Sequence, residues 1–427
     1  MLNLELQGVK SIFSEFKTDL LGKVGFKTST LYLSQVLALI LGAATGVINT
    51  RVLGPDGYGL FTFFFSFTTF IVIFFRFGFF NAAGLLVAQV KSRDEEREII
   101  GSSIIVAFII GVSYSLTIFI LSFFIDQIFK TNIGLLMRYL SFLLIPLPLQ
   151  LLIPNLARGT SRVSMLAAFY VLPSTIYLIG AVILTLLMPV QTYHFILLNT
   201  FSIIFCLLII LYLFNPAFTN IKNNINKIFK KTKEYGFHIY SGQVVDQSTA
   251  KLGEILIPYY VTTSALGFYS LASTLLSPMI ALPSSVSITL FKDFVKMKTI
   301  PNKIILYILG WLTLCTIILY SLGEFIVTLL FGEPFISVYY FILPLVLAGF
   351  FKGIYQPYLM FLSAKEKGRW VRNSSFAMGL VYIACDIILI PVIGVYGAIT
   401  ADIIASFTFF ILVFIFYKKY LGALNAA

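Results

Sequence analysis

Apolar stretches of twenty residues and more recur along the whole chain, and no other feature limits its fold so strictly. Residues 104–125, IIVAFIIGVSYSLTIFILSFFI, carry no charge at all, and at about 1.5 Å per helical residue such a run crosses a hydrocarbon layer about 30 Å thick. Inside that layer the backbone finds no water, so a spanning segment must be a helix or part of a closed barrel. Period-two alternation is absent, which leaves helices. Twelve stretches fit, at 28–50, 58–90, 99–125, 134–157, 163–188, 193–214, 236–261, 266–291, 303–331, 336–363, 373–391 and 395–417. With 59% hydrophobic and only 11% charged residues, the chain reads as an all-α polytopic membrane protein. A soluble enzyme on a single anchor is excluded.

The net charge of +12 would suggest nucleic acid in a soluble protein, but in a membrane protein it follows from topology. If the chain starts in the cytoplasm, cytoplasmic stretches hold 24 of the 30 basic residues, and the opposite loops hold only Arg51, Lys130 and Arg138. By the positive-inside bias both termini are cytoplasmic, with no nucleic-acid partner. Residues 1–27 read as a cytosolic amphipathic segment, 28–214 as an N-terminal lobe of six spans, 215–235 as a basic linker, 236–417 as a C-terminal lobe, and 418–427 as a cytosolic tail. The three cysteines lie inside apolar stretches, with no metal spacing and no disulfide framework. No nucleotide-binding loop is present, and the outer loops are too short to house an acid/base pair for sugar polymerisation, so the chain is not expected to be an enzyme.

The halves echo each other. Arg51–Phe61 (RVLGPDGYGLF) and Tyr260–Ala272 (YVTTSALGFYSLA) each bring a Gly and a Tyr to the start of the next helix, and Asn155–Arg162 matches Leu362–Arg369 in polarity and position. Six spans per half makes these parallel repeats about the membrane normal, a plan of alternating-access carriers.

Charges inside spans are costly and are functional candidates by default. Three basic residues remain there: Arg76, Lys251 and Lys352. Arg76, with Asn81 five residues on, would line a polar cavity; the alternative is a side chain snorkelling from a helix end, because 58–90 is long for one span. The seventh span is the most polar, with Gln243, Asp246, Gln247, Lys251 and Glu254. Lys251 and Glu254 are three apart and close enough to pair, so they form either a cavity wall or a structural ion pair. Lys352 carries Gln356 one turn on. Asp386 and Asp402, with Asp246 and the hydroxyl of Thr400, supply the oxygen ligands or the desolvated acid that a sodium ion or proton requires; the alternative is separate hydrogen bonds between helices.

These stretches, with Ala265–Ala272 opening the eighth span and Ile390–Ala401 (IPVIGVYGAITA) joining the last two, resemble the polysaccharide or oligosaccharide flippases of the multidrug/oligosaccharidyl-lipid/polysaccharide exporter superfamily. The resemblance covers essentially the whole chain. It implies two six-helix lobes in a V around a cationic cavity, in a multi-pass protein of a bacterial or archaeal cytoplasmic membrane. The substrate it implies is an oligosaccharide repeat unit on undecaprenyl diphosphate, carried outward for O-antigen, capsule or exopolysaccharide by coupling to protons or sodium. Implied partners are membrane lipids, a polysaccharide polymerase and a chain-length regulator; no further cofactor is implied. Arg76, Lys251 and Lys352, with Asn81, Gln247 and Gln356, would hold the substrate. Related peptidoglycan-lipid flippases bind sodium through acids on the seventh and eleventh helices and oxygens on the twelfth, which carries over here to Asp246, Asp386 and Thr400, with Asp402 and Glu254 nearby. Those relatives have two further spans beyond the twelve read here, which favours the O-antigen or capsule branch as the expectation. A multidrug antiporter of the same superfamily is the nearest alternative, and a membrane glycosyltransferase or polymerase a more distant one.

Overall fold

A computed structural model describes residues 23–425; the side chains of residues 23–29, 32, 163, 238, 239, 242, 246, 292, 424 and 425 lie outside that description, as does the amphipathic segment expected at the N-terminus up to residue 22. The described residues form helices and connecting turns, with no strand among them. The N-terminal half comprises α1 (Lys23–Ile73), α2 (Phe79–Gln89), α3 (Arg93–Leu121), α4 (Ile125–Phe129), α5 (Gly134–Leu140), α6 (Leu149–Gly159), α7 (Val163–Leu187) and α8 (Thr192–Phe214). After α9 (Ile221–Lys231) the second half runs through α10 (Phe237–Tyr260), α11 (Thr263–Thr289), α12 (Phe291–Lys296), α13 (Asn302–Phe331), α14 (Ser337–Ile354), α15 (Gln356–Ala364), α16 (Gly368–Ile393) and α17 (Val395–Asn425).

Ten of the described helices or joined helix pairs are long and apolar enough to cross a membrane, where the sequence suggests twelve stretches, and the difference has two physical sources. The first is α1, whose apolar part runs unbroken from Leu33 to Ile73, 41 residues; at about 60 Å it is twice the hydrocarbon thickness. It turns at Gly54, where φ is 66° and Pro55 follows, a backbone region that costs glycine least. Both sides of this turn return to the same neighbours, because Ile48, Leu53 and Phe61 all pack on the cluster of Tyr177, Ala181 and Phe195. The second source is α10, 24 residues long, which carries too many polar side chains to qualify by apolarity. Large apolar side chains stand exposed on the outer helices, among them Leu186, Leu187, Leu380, Ile388 and Val392. In water such a surface would aggregate, whereas against lipid it is the expected exterior. The chain is a multi-pass integral membrane protein.

The sequence repeat has a structural counterpart. The fourth stretch of each half is broken, the first between α5 and α6 over residues 145–148 and the second at Tyr355 between α14 and α15. Leu147 and Tyr355 are 208 positions apart, as are Gly59 and Gly267 of the two Gly/Tyr motifs. Prolines explain the breaks: Pro146 and Pro148 lie in one, and Pro357 begins the helix after the other.

The basic linker is more ordered than its composition suggests. Residues 221–231 form the amphipathic α9, and a π-helical turn, Thr232–Gly236, joins it to α10 without interruption. Its polar face is tied to the acidic start of α3: Lys227 pairs with Glu95 at 2.9 Å, and Glu98 accepts from Thr219 and Asn220 at 2.8 and 3.0 Å. Carboxylates in the first turn of α3 also suit its dipole.

Candidate substrate and coupling site

The two halves meet along one seam, formed by the second stretch (α1 after Gly54, then α2) against α10 and α11. Glycines permit the approach at each end. A Cβ on Gly59 would overlap the backbone of Thr263 and Ser264, and a Cβ on Gly78 would overlap the Gly236 carbonyl. Gly78 also has φ 78°, so both its conformation and its neighbour require glycine. Nineteen residues separate these contacts, roughly 28 Å of helix, which places them at opposite faces of a hydrocarbon layer. The halves therefore touch at both faces.

Polar contacts fasten the seam. At the Gly59 end Ser264 donates to Asp56 Oδ1 at 2.6 Å, and Arg51 donates from Nε to the Leu330 carbonyl at 3.0 Å and from Nη2 to the Leu329 carbonyl. At the Gly78 end the Tyr240 hydroxyl donates to the Phe74 carbonyl at 2.8 Å and Asn81 donates to Gln243 at 3.2 Å. Between them Glu254 accepts from Ser66 at 2.7 Å and from both-sided contact with Lys251, 2.7 Å to each carboxylate oxygen. Lys251 and Glu254 thus form an ion pair, the second of the two readings open in the sequence, and it sits on the seam with a hydrogen bond across it.

Arg76 lies in a gap of the second stretch. The helix ends at Ile73 and resumes at Phe79, with Phe77 at φ 45°, so Arg76 projects from unwound backbone rather than from mid-helix. It makes no ion pair with a described carboxylate, and its Nε is buried with no hydrogen-bond acceptor. Unwinding releases carbonyls, and the Phe74 carbonyl takes the Tyr240 hydroxyl already noted; the arrangement presents a guanidinium beside freed backbone at the Gly78 end of the seam.

Lys352 is not a free cation. Its Nζ stands 2.6 Å from Asp402 Oδ1 and 2.8 Å from Oδ2, and the Tyr382 hydroxyl also donates to Oδ1. Asp402, expected near a coupling ion, is committed to this pair. Asp386 is separate: it is 2% exposed, faces Gly253 at the point where Ala398 also approaches, and receives no hydrogen bond from a described residue. Gly253 is two turns beyond Asp246, about 10 Å along α10; the Asp246 side chain itself lies outside the described residues. Thr400 is two positions from Ala398, hence on the far side of α17, and its hydroxyl donates to the Tyr396 carbonyl at 2.7 Å. Asp386 and Thr400 therefore do not converge. Gln247 and Gln356 are half-buried, and no hydrogen bond joins either to another polar group among the described residues. Tyr269 of α11 packs, partly buried, against the main hydrophobic core. Ser66, Tyr269 and Tyr382 carry no sequence signal, because neutral hydroxyls are common in membrane helices.

A cavity of about 380 Å³ opens elsewhere, inside the N-terminal half. Its wall includes Gly42, Gly46 and Asn49 before the Gly54 turn, Tyr58 and Phe61 after it, and residues of α6, α7 and α8. No charged residue lines it.

The chain matches the family model described as polysaccharide biosynthesis protein over residues 24–291. No curated protein matches the sequence significantly. Among solved structures it is similar to the lipid II flippase MurJ in an inward closed conformation, with 15% identity, a TM-score of 0.70 and coverage of 93% of this chain and 89% of that one. An inward-facing multidrug resistance transporter of the MATE family gives 15% identity and a TM-score of 0.67, covering 92% and 96%. A transporter of the MOP superfamily from Pyrococcus furiosus, described as having a binding pocket of reverse polarity, gives 12% and 0.59, covering 93% and 96%. At these identities the likeness concerns the fold.

Proposed function

Because the chain belongs to the polysaccharide biosynthesis protein family, and folds like flippases and transporters, we propose that it carries undecaprenyl-diphosphate-linked oligosaccharide repeat units from the cytoplasmic to the outer leaflet of a cytoplasmic membrane. The termini and basic loops face the cytoplasm, so the Gly78 end of the seam is the inner one. The observation that carries this reading is Arg76: a guanidinium on unwound backbone at the seam, without a carboxylate partner among the described residues and with a buried, unsatisfied Nε. A diphosphate leaving water supplies what this group lacks, and a charge-assisted hydrogen bond to it offsets part of the desolvation penalty. Lys251 and Lys352 contribute in a different way from the expected cationic wall. Each is neutralised by a carboxylate, Lys251 on the seam and Lys352 inside the C-terminal half, so charge is held in pairs that an entering anion or coupling ion can rearrange.

For coupling, Asp386 is the group best suited. A buried carboxylate without a donor among the described residues needs a proton or a cation, and Asp386 meets α10 and α17 at once. Asn in its place is expected to remove the dependence of transport on an ion gradient, and an unchanged gradient response would assign coupling to another group. The functional reading is tested by deleting the gene. Surface polysaccharide should disappear while lipid-linked repeat units accumulate in the inner leaflet, and wild-type but not Arg76→Ala complementation should restore it. Normal surface polysaccharide in the deletion strain would contradict the reading.

A further inference from the structure

The cavity inside the N-terminal half is not used by any step above, and its chemistry is specific. Its polar groups are amides and hydroxyls without a single carboxylate or basic group. An organic cation placed there would have ring faces but no counter-charge, and a diphosphate would have no cation and would meet the full cost of an unpaired charge away from water. Aromatic faces make up much of the remaining wall, Phe61 stacking with Tyr177 at 6.4 Å between ring centroids. Asn49 is held in place by the Tyr177 hydroxyl, which donates to its Oδ1 at 2.7 Å. Gln150 and Asn199, from two further helices, have side-chain amides that no described residue engages. A Cβ built on Gly42 or Gly46 meets nothing within 4 Å, so the missing side chains at these two positions, one turn apart, leave open volume.

We infer that this cavity is a sugar subsite: it takes one uncharged pyranose ring, whose C–H face lies on the aromatic wall and whose hydroxyls bond to the amides of Gln150, Asn199 and Asn49. The inference rests on the proposed function for the source of the sugar, a lipid-linked oligosaccharide. A pocket with a mostly apolar wall and a few convergent polar groups is the general form of a small-ligand site, and free amides supply the donors and acceptors that a hydroxyl rim demands. Phe61 is roughly 20 Å along the helix from Arg76. A diphosphate at Arg76 therefore leaves this cavity to a ring well along the repeat unit, rather than to the sugar attached to phosphate. The division gives the carrier a means of distinguishing a completed unit from a truncated one, because a short glycan fills only the charged end.

The test uses saturation-transfer NMR on the full-length protein in a detergent without a sugar headgroup. The probes are the methyl glycosides of glucose, galactose, N-acetylglucosamine and rhamnose, and a parallel arm measures binding of undecaprenyl diphosphate. Wild type should transfer saturation to at least one glycoside. The double variant Gln150→Ala/Asn199→Ala should weaken that glycoside by roughly tenfold, the loss of two modest hydrogen bonds, and Gly46→Leu, which fills the open volume, should abolish it. Neither should alter undecaprenyl diphosphate binding. Absence of transfer from all four glycosides, or transfer that survives in Gly46→Leu, overturns the subsite. Loss of undecaprenyl diphosphate binding by wild type alone would instead overturn the proposed substrate, while the glycoside arm still decides the subsite.

Discussion

Removal of Asp402 tests the clearest energetic statement in the structure. Its side chain is 6% exposed, and the Lys352 side chain opposite is 29% exposed. Asp402→Ala leaves an ammonium largely cut off from water with no counter-charge, and breaking a buried pair in this way costs about 3–5 kcal/mol in proteins. The partial exposure of Lys352 lets some solvent compensate, so we expect about 2–4 kcal/mol. Tyr382→Phe removes one hydrogen bond to a charged acceptor and should cost about 1–2 kcal/mol. The double replacement Lys352→Met/Asp402→Leu deletes both charges at similar volume and is expected to fall within about 1 kcal/mol of wild type, since a paired buried charge contributes little net stability over an apolar pair. The assay is reversible SDS unfolding in mixed micelles, followed by tyrosine absorbance and limited proteolysis, with all four proteins in one series. If Asp402→Ala and the double variant are equally destabilised, the cost is one of lost packing and the uncompensated-charge reasoning is refuted.

Other expectations concern the seam. Cysteines at positions 56 and 264, or at 81 and 243, should form a disulfide on mild oxidation and stop transport until reduced; continued transport by a fully cross-linked protein would show that the seam does not open at that end. Gly78→Ala should keep the Gly78 end from closing, because its Cβ and the Gly236 carbonyl compete for the same space, and Asn81 should become more reactive to a water-soluble label when changed to Cys in that background. Arg76→Ala should weaken undecaprenyl diphosphate binding by about 10- to 100-fold, as expected for a charge-assisted hydrogen bond, whereas Arg76→Lys should recover part of it.

Most of the fold is legible in the sequence because hydrocarbon enforces it: apolar runs of sufficient length have one available structure. The exceptions follow from the same physics. α10 is too polar to score as a span yet lies on the seam, where its side chains meet protein instead of lipid. Arg76 is visible as an intramembrane charge, but the unwound backbone that presents it depends on Gly78 meeting Gly236, a contact 158 residues apart. The Lys251–Glu254 pair is three residues apart and can be anticipated. Lys352 and Asp402 are fifty apart, and no local pattern announces that they neutralise each other. The cavity of the N-terminal half escapes a search for charged residues altogether, since its described wall contains none. Asp386 and Asp402 look equivalent as isolated carboxylates, and only packing separates the paired one from the one left with no described donor.

The central claim is that this chain moves a diphosphate-linked glycan across the bilayer with Arg76 as its anchor. The most direct measurement reconstitutes the purified protein in vesicles loaded on one leaflet with a fluorescent undecaprenyl-diphosphate oligosaccharide, and follows the fraction that becomes accessible to a membrane-impermeant quencher under an imposed sodium or proton gradient. Wild type should move the glycolipid, and Arg76→Ala, inserted to the same level, should lose most of that rate. Equal rates for the two proteins, or transport of a cationic dye with none of the glycolipid, would contradict it.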